Sequence, residues 1–145
     1  MTNEISQMRS EVIEKAINIE WMINSIICQK YFGYQRIDFI SELLYDEYCQ
    51  FALKRRVLLK ICSELTKEFE NNLNRLNTIR NYFAHVGPEV IDGPILQGPT
   101  RVPDPRDFSK SVDFANLHKE FLELERAIST TLFETFKAKG GQFVK

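Results

Sequence analysis

The sequence predicts an all-α fold, an up-and-down bundle of about four to five helices with a long Pro/Gly-rich loop before the last of them. Three observations carry that prediction. Apolar residues recur at spacings of three, four and seven along most of the chain, the period of a helix with a buried stripe. All five prolines fall between Pro88 and Pro105, so helix-breaking chemistry is confined to one stretch. The chain has 145 residues, 43% of them hydrophobic, which is enough to bury the core of a single domain spanning 1–145.

Glu4 to about Phe32 reads as one long helix. Met8, Val12, Ile19, Ile23 and Ile26 form one apolar stripe, and Ile13, Ile17, Trp21 and Cys28 form a second. A helix apolar on two faces is expected to be packed from two sides, one side its own core and the other a partner subunit. Gly33 should end it. A shorter helix is predicted from Ile37 to about Tyr45, with Ile37, Ile40 and Leu44 inward and Asp38 near its start. Cys49 to Leu65 is the next, where Phe51, Leu58, Cys62 and Leu65 keep the period and Lys54, Arg55 and Lys60 lie off it. Thr66 either caps a new helix or sits inside a continuous one.

Lys67 to about Val86 follows, with Phe69, Leu73, Leu76 and Phe83 as its apolar face. Gly87-Pro88 stops it, because proline disfavours helical geometry in the residue before it and glycine suits the C-terminal cap. The long loop runs from Gly87 to Lys110. It cannot continue a helix and shows no clean strand alternation, but Val90, Ile91, Ile95, Leu96 and Val102 give it apolar surface to bury. Asp113 is placed to cap the last helix, in which Phe114, Leu117, Phe121, Leu124, Ile128 and Leu132 keep a firm period. Gly140-Gly141 should end that helix, and 140–145 is expected to be a flexible tail.

Formal net charge is −1 and the isoelectric point about 6.2, which excludes broad, salt-driven capture of duplex DNA. The densest basic run, Lys54-Arg55-Arg56, reads as a solvated helix face. Cys28, Cys49 and Cys62 form no CxxC pair and sit among apolar residues, as free thiols in a reducing compartment would. The two histidines, His85 and His118, are distant and make no metal signature, so no metal or cofactor is expected; His118, beside Lys119 and Glu120, reads as a surface residue. Residues 1–10 are polar and lack a signal-peptide core, and no run approaches the ~20 apolar residues that span a bilayer. The expectation is a cytoplasmic protein with no membrane association.

The stretch Leu76–Pro88 concentrates the chemistry. At ~100° per residue, Phe69, Leu73 and Leu76 fall within ~40° of Arg80 and Phe83 at ~60°, which puts an arginine inside the apolar stripe. It needs a partner there: an internal carboxylate, a partner subunit or an anion. Glu20, beside Trp21 in the first helix, is a candidate acid. Asn77, Asn81, Asn74 and His85 lie about 60° to 140° from Arg80 and form a polar strip. A histidine that can hold a proton beside a permanently charged guanidinium suits phosphodiester chemistry. The histidine can move protons and the arginine can stabilise charge on the phosphorane. Arg-x4-His is a common spacing, and its ordinary explanation is a core ion pair plus a helix-capping imidazole.

Arg80-Asn81-Tyr82-Phe83-Ala84-His85 resembles the signature of the HEPN superfamily, which is Arg, four to six residues, then His, commonly with Asn directly after the Arg. The Gly-Pro stop and the position of the motif, late in the penultimate long helix of a small all-α chain, resemble that family too. The resemblance implies a HEPN-like helical domain and a metal-independent endoribonuclease acting as a homodimer whose paired motifs line one cleft. On that model His85 would be the acid/base, Arg80 the phosphate stabiliser and Asn81 an orienting group; Asn77 and Asn74, from the polar strip on the helix wheel rather than from the motif, are the candidate substrate-binding residues. The settings implied are toxin–antitoxin systems, phage defence and RNA processing, with RNA and an antitoxin or regulatory protein as partners. Toxin members of one subfamily often carry Tyr two residues after the His, where this chain has Gly87.

The alternative is a non-catalytic HEPN-like module, regulatory or for RNA or protein interaction, mannitol-repressor-like regulators included. Near-neutral charge and the apolar residues of the long loop favour it. A purely structural reading has Arg80 locked to an acid such as Glu20.

Overall fold

A computed structural model describes residues 4–46, 49–86, 100–104 and 106–141, with the side chain of Phe108 outside the description. The chain is mostly helical, as expected, with five α-helices and a two-stranded sheet among the described residues. The helices are α1 (Glu4–Phe32), α2 (Ile37–Phe39), α3 (Phe51–Ile61), α4 (Lys67–Ala84) and α5 (Phe114–Ala138). A π-helical segment, Ile40–Leu44, continues directly from α2. Strands β1 (Arg101–Asp104) and β2 (Asp107–Asp113) form an antiparallel hairpin.

Two compact units divide the chain, with boundaries that fall inside α1, α4 and α5. The first comprises Met1–Ala16 and Leu73–Glu125. Its core holds Ile5, Val12, Leu73, Leu76, Ile79, Phe83, Val102, Phe114 and Phe121. Phe83 and Phe114 meet edge to face, with ring centroids 4.9 Å apart, a geometry that adds to the area they bury. The hairpin corrects the expected strandless loop through Lys110. Val102 pairs with Val112 across it and is buried, and the register shifts between Pro103 and Asp104. Proline in β1 hid the strand because it breaks the propensity signal without forbidding an edge position. Residues 87–99, the rest of the predicted loop, lie outside the described residues.

The end of the hairpin becomes the start of α5. Asp113 Oδ1 accepts the Ala115 N–H at 3.0 Å and the Asn116 N–H at 3.4 Å, as predicted for an N-cap, and also the Thr100 hydroxyl at 2.9 Å. That hydroxyl bond, followed by the helix amides, holds the Asp113 carboxyl below the usual carboxylate range. His118, expected at the surface, is instead largely covered, and its Nε2 lies 3.0 Å from Glu11 Oε2.

The second unit comprises Ile17–Asn72 and Arg126–Lys145. Ile19, Ile23, Ile26, Cys28, Leu58, Cys62, Phe69, Ile128, Leu132 and Phe136 form its core. Ile17 and Trp21, of the second predicted stripe of α1, remain about half exposed at 51% and 47%. Ile40 and Leu44 are buried as predicted, but Ile37 is 80% exposed. The wider π-helical turn changes the angle per residue, so extrapolating an α period back to Ile37 aims it wrongly.

Lys54 is the second correction in this unit. The helical period puts it off the apolar face, yet it is 1% exposed, bonded through Nζ to Glu20 Oε1 and lying 4.9 Å over the Tyr45 ring. Burial, with the negative charge of Glu20 contributing and the Asn24 amide opposing, raises the Tyr45 phenol above its ordinary value. Thr66 caps α4, its Oγ1 accepting the Phe69 N–H at 3.1 Å, which decides between the two readings of that residue.

Helix α5 closes on a complete Schellman motif: Gly140 N–H to Lys137 O at 3.0 Å and Gly141 N–H to Phe136 O at 2.9 Å. Gly140 has φ 85°, and a Cβ on Gly141 would collide with the Phe136 ring. These two glycines are therefore a built cap rather than the start of a flexible tail; 142–145 lie outside the described residues. Among the described residues no helix is long and apolar enough to cross a membrane.

Candidate functional site

The predicted motif lies on the last turns of α4. Leu73, Leu76, Ile79, Phe83 and Val86 are buried and fix how this part of the helix is turned. Ile79 was missing from the predicted stripe. It is fully buried and sits ~100° from Arg80 on the side away from the polar strip. Including it shifts the centre of the apolar face, so Arg80 stands on the shoulder of that face and is half-buried rather than inside the core.

From that shoulder Arg80 Nη1 donates to Asn81 Oδ1 at 3.1 Å. Among the described residues no carboxylate lies within ion-pair distance of it. The expected acid is committed elsewhere, since Glu20 accepts from Lys54. A half-exposed guanidinium can stay solvated without a counter-charge, so the locked Arg80–Glu20 pair is replaced by an amide contact. Because the Asn81 carbonyl oxygen accepts from Arg80, its amide nitrogen faces elsewhere as a donor.

His85 is exposed, one residue beyond α4. Its backbone N–H still joins the helical ladder, to Asn81 O at 3.1 Å. No hydrogen bond among the described residues joins its imidazole to Arg80 or Asn81. Asn74 and Asn77 are half-buried on the same strip; Asn74 O accepts the Thr78 hydroxyl at 3.0 Å. The structure thus brings Arg80 and Asn81 together and leaves His85 as a separate exposed group on the same helix end.

The other flank of α4 holds residues that sequence reasoning did not single out. A cleft of about 410 Å³ lies in the first unit, lined among others by Arg75, Tyr82, Arg101, Asn116 and Glu120. Arg75 grips Glu120 with two bonds, Nε to Oε1 at 2.7 Å and Nη2 to Oε2 at 2.9 Å. That pair raises the Arg75 pKa and lowers that of Glu120, the side-chain bond outweighing desolvation in each. Arg101 Nη1 donates to Ser111 Oγ at 3.2 Å, and Arg106 Cζ lies 4.7 Å from the centroid of the Tyr82 ring. Tyr82 donates its hydroxyl to Asp104 Oδ2 at 3.4 Å, and Asp104 Oδ1 accepts the Arg106 N–H at 2.8 Å. The signal that could have found this flank is the arginine-bearing alternation Arg101-Val102-Pro103-Asp104, obscured by its proline.

Among the described residues no group of three or more His, Cys, Asp and Glu side chains could hold a metal ion. Cys28 and Cys62 are buried and Cys49 half-buried, all free. Burial pushes the Cys62 thiol up to about 11, and the Cys28 sulfur accepts the Arg36 N–H at 3.1 Å, so both are packing groups rather than nucleophiles. In comparisons with protein-family models, curated proteins and solved structures, the chain matches none.

Proposed function

We propose that the chain is a metal-independent endoribonuclease in which two copies bring Arg80, Asn81 and His85 to a shared cleft. The observation that carries the reading is the state of Arg80. It is half-buried, oriented by an amide, and without a carboxylate partner among the described residues. Among the described residues nothing neutralises its positive charge, and a phosphodiester that gains charge in the transition state is the anion for which a guanidinium fork is best shaped. His85, exposed on the same helix end, can reach solvent and substrate as a proton carrier.

In this mechanism His85 takes the proton from the ribose 2′-hydroxyl as that oxygen attacks the adjacent phosphorus. The P–O5′ bond breaks, leaving a 2′,3′-cyclic phosphate, and the departing 5′-oxygen gains a proton from the partner's acid/base group. Arg80 stabilises the charge on the non-bridging oxygens, with Asn81 fixing its direction. The test is incubation of the purified protein with assorted RNAs in EDTA, beside His85→Ala and Arg80→Ala. Cleavage with cyclic-phosphate ends that both substitutions abolish is the expected result. Cleavage that persists in the double variant removes these residues from the mechanism.

The second reading, a non-catalytic regulatory or interaction module of the same class, is favoured by the exposed apolar side chains Ile17 and Trp21. It expects no cleavage and a partner captured through that face.

A further inference from the structure

We propose that the Tyr82 flank of α4 is a subsite for single-stranded RNA, with Arg101 and Arg106 of the hairpin holding the phosphates and Tyr82 organising the platform. The inference rests on the ribonuclease reading for the identity of its ligand and deepens it by naming where flanking nucleotides bind.

Three observations converge there. First, Arg101 and Arg106 have no carboxylate within ion-pair distance among the described residues; Arg101 donates to the Ser111 hydroxyl and feels Asp113 across the hairpin only at longer range, and Arg106 lies over the Tyr82 ring. A guanidinium laid against a ring keeps its N–H edges directed outward, where a phosphate can take two of them. Second, the acids of the region are already occupied. Glu120 is gripped by Arg75, Asp113 by Thr100 and the amides of α5, and Asp104 by Tyr82 and the Arg106 amide. Asp104 thereby ties the ring and the turn that carries Arg106 to one carboxylate, so the platform is set before a ligand arrives. Third, Tyr82 lines the 410 Å³ cleft together with Arg101 and Asn116, a volume suited to one nucleotide unit.

Single-stranded RNA fits better than a duplex. The net charge of −1 supplies no field for groove binding, whereas local guanidinium and ring contacts serve unstacked bases and a flexible backbone. Tyr82 and His85 are three residues apart, ~60° around the helix. A strand seated beside Tyr82 can therefore continue toward His85.

The probe is a labelled, unstructured 12-nucleotide RNA, bound to protein carrying His85→Ala so that no cleavage intervenes. Fluorescence anisotropy at several salt concentrations gives Kd and its salt slope. Arg101→Ala with Arg106→Ala is expected to raise Kd at least tenfold. It should also lower the log–log salt slope by about 1.4, two phosphate contacts at ~0.7 each for single strands. The Arg101→Lys/Arg106→Lys pair should keep the slope and lose only part of the affinity. A Kd and slope unchanged by the alanine pair overturn the subsite, and so does absence of binding by the parent protein. The two proposals fail separately. Arginine-dependent binding with no cleavage by the unsubstituted chain sinks the nuclease and leaves the subsite; cleavage with arginine-independent binding does the reverse.

Discussion

In the second unit Lys54 is buried and closed off by Glu20, whereas in the first unit Arg80, Arg101 and Arg106 rest against an amide, a hydroxyl and an aromatic ring. The first arrangement satisfies a charge internally: the ammonium has its carboxylate, and little remains for a ligand. The second leaves three permanent charges without an ion pair among the described residues, their nearest partners an amide, a hydroxyl and a ring. The contrast separates a cation that serves folding from cations that can serve binding, a distinction that composition alone cannot draw.

The largest expected effect breaks the catalytic half of the comparison. Arg80→Ala should lower RNA cleavage about 100- to 1,000-fold, the scale for losing one transition-state charge stabiliser. Its stability cost should stay within about 1 kcal/mol, since only a neutral hydrogen bond and part of a side-chain stem are lost. Parallel urea titrations and single-turnover assays read the two quantities, and a cost several-fold larger would mark Arg80 as structural.

Next is the structural half. Glu20→Gln strands the Lys54 ammonium, which is 1% exposed, and should cost about 3–5 kcal/mol. The double variant Lys54→Met/Glu20→Gln should recover most of that loss, because the site then holds no charge. Denaturant melts of the single and double variants decide it; no recovery would mean that the pair shapes the core beyond its charge.

A smaller effect is expected at the end of α5. Gly140→Ala forces a Cβ into the left-handed region and should cost about 1–2 kcal/mol, read as a lowered Tm with RNA binding untouched. Smallest is a pH effect at Cys62. Burial raises the folded thiol from about 9 to about 11, so it keeps its proton to higher pH than the unfolded chain does. Its contribution is whole below about 9 and fades as pH rises toward about 11. Cys62→Ala should flatten this part of the stability–pH curve relative to the parent protein.

Much of the fold was legible because three long helices carry firm periods. Glu4–Phe32, Lys67–Ala84 and Phe114–Ala138 agree with the predicted boundaries, and the Asp113 cap was visible from one residue. What was not legible has specific causes. Lys54 sits at a position that period and polarity assign to solvent, and only a carboxylate thirty-four residues earlier makes its burial tolerable. The π-helical turn re-aimed Ile37, and Pro103 concealed a local hairpin by breaking the strand pattern at its edge. At the candidate site, Arg80 and Asn81 meet as their adjacency suggested. The Tyr82 flank depends on a tertiary contact with Arg106 that no local pattern encodes.

The glycine closure of α5 has a practical side. Its two amides answer carbonyls at Phe136 and Lys137, while the Lys139 side chain reaches Ile61 O at 3.3 Å. A truncation or fusion junction placed after Gly141 leaves every one of those bonds intact, whereas one placed two residues earlier strips the helix of its last amides. Position 141 is therefore the earliest point at which a fluorophore, an affinity handle or a tether can be attached with this helix cap kept whole.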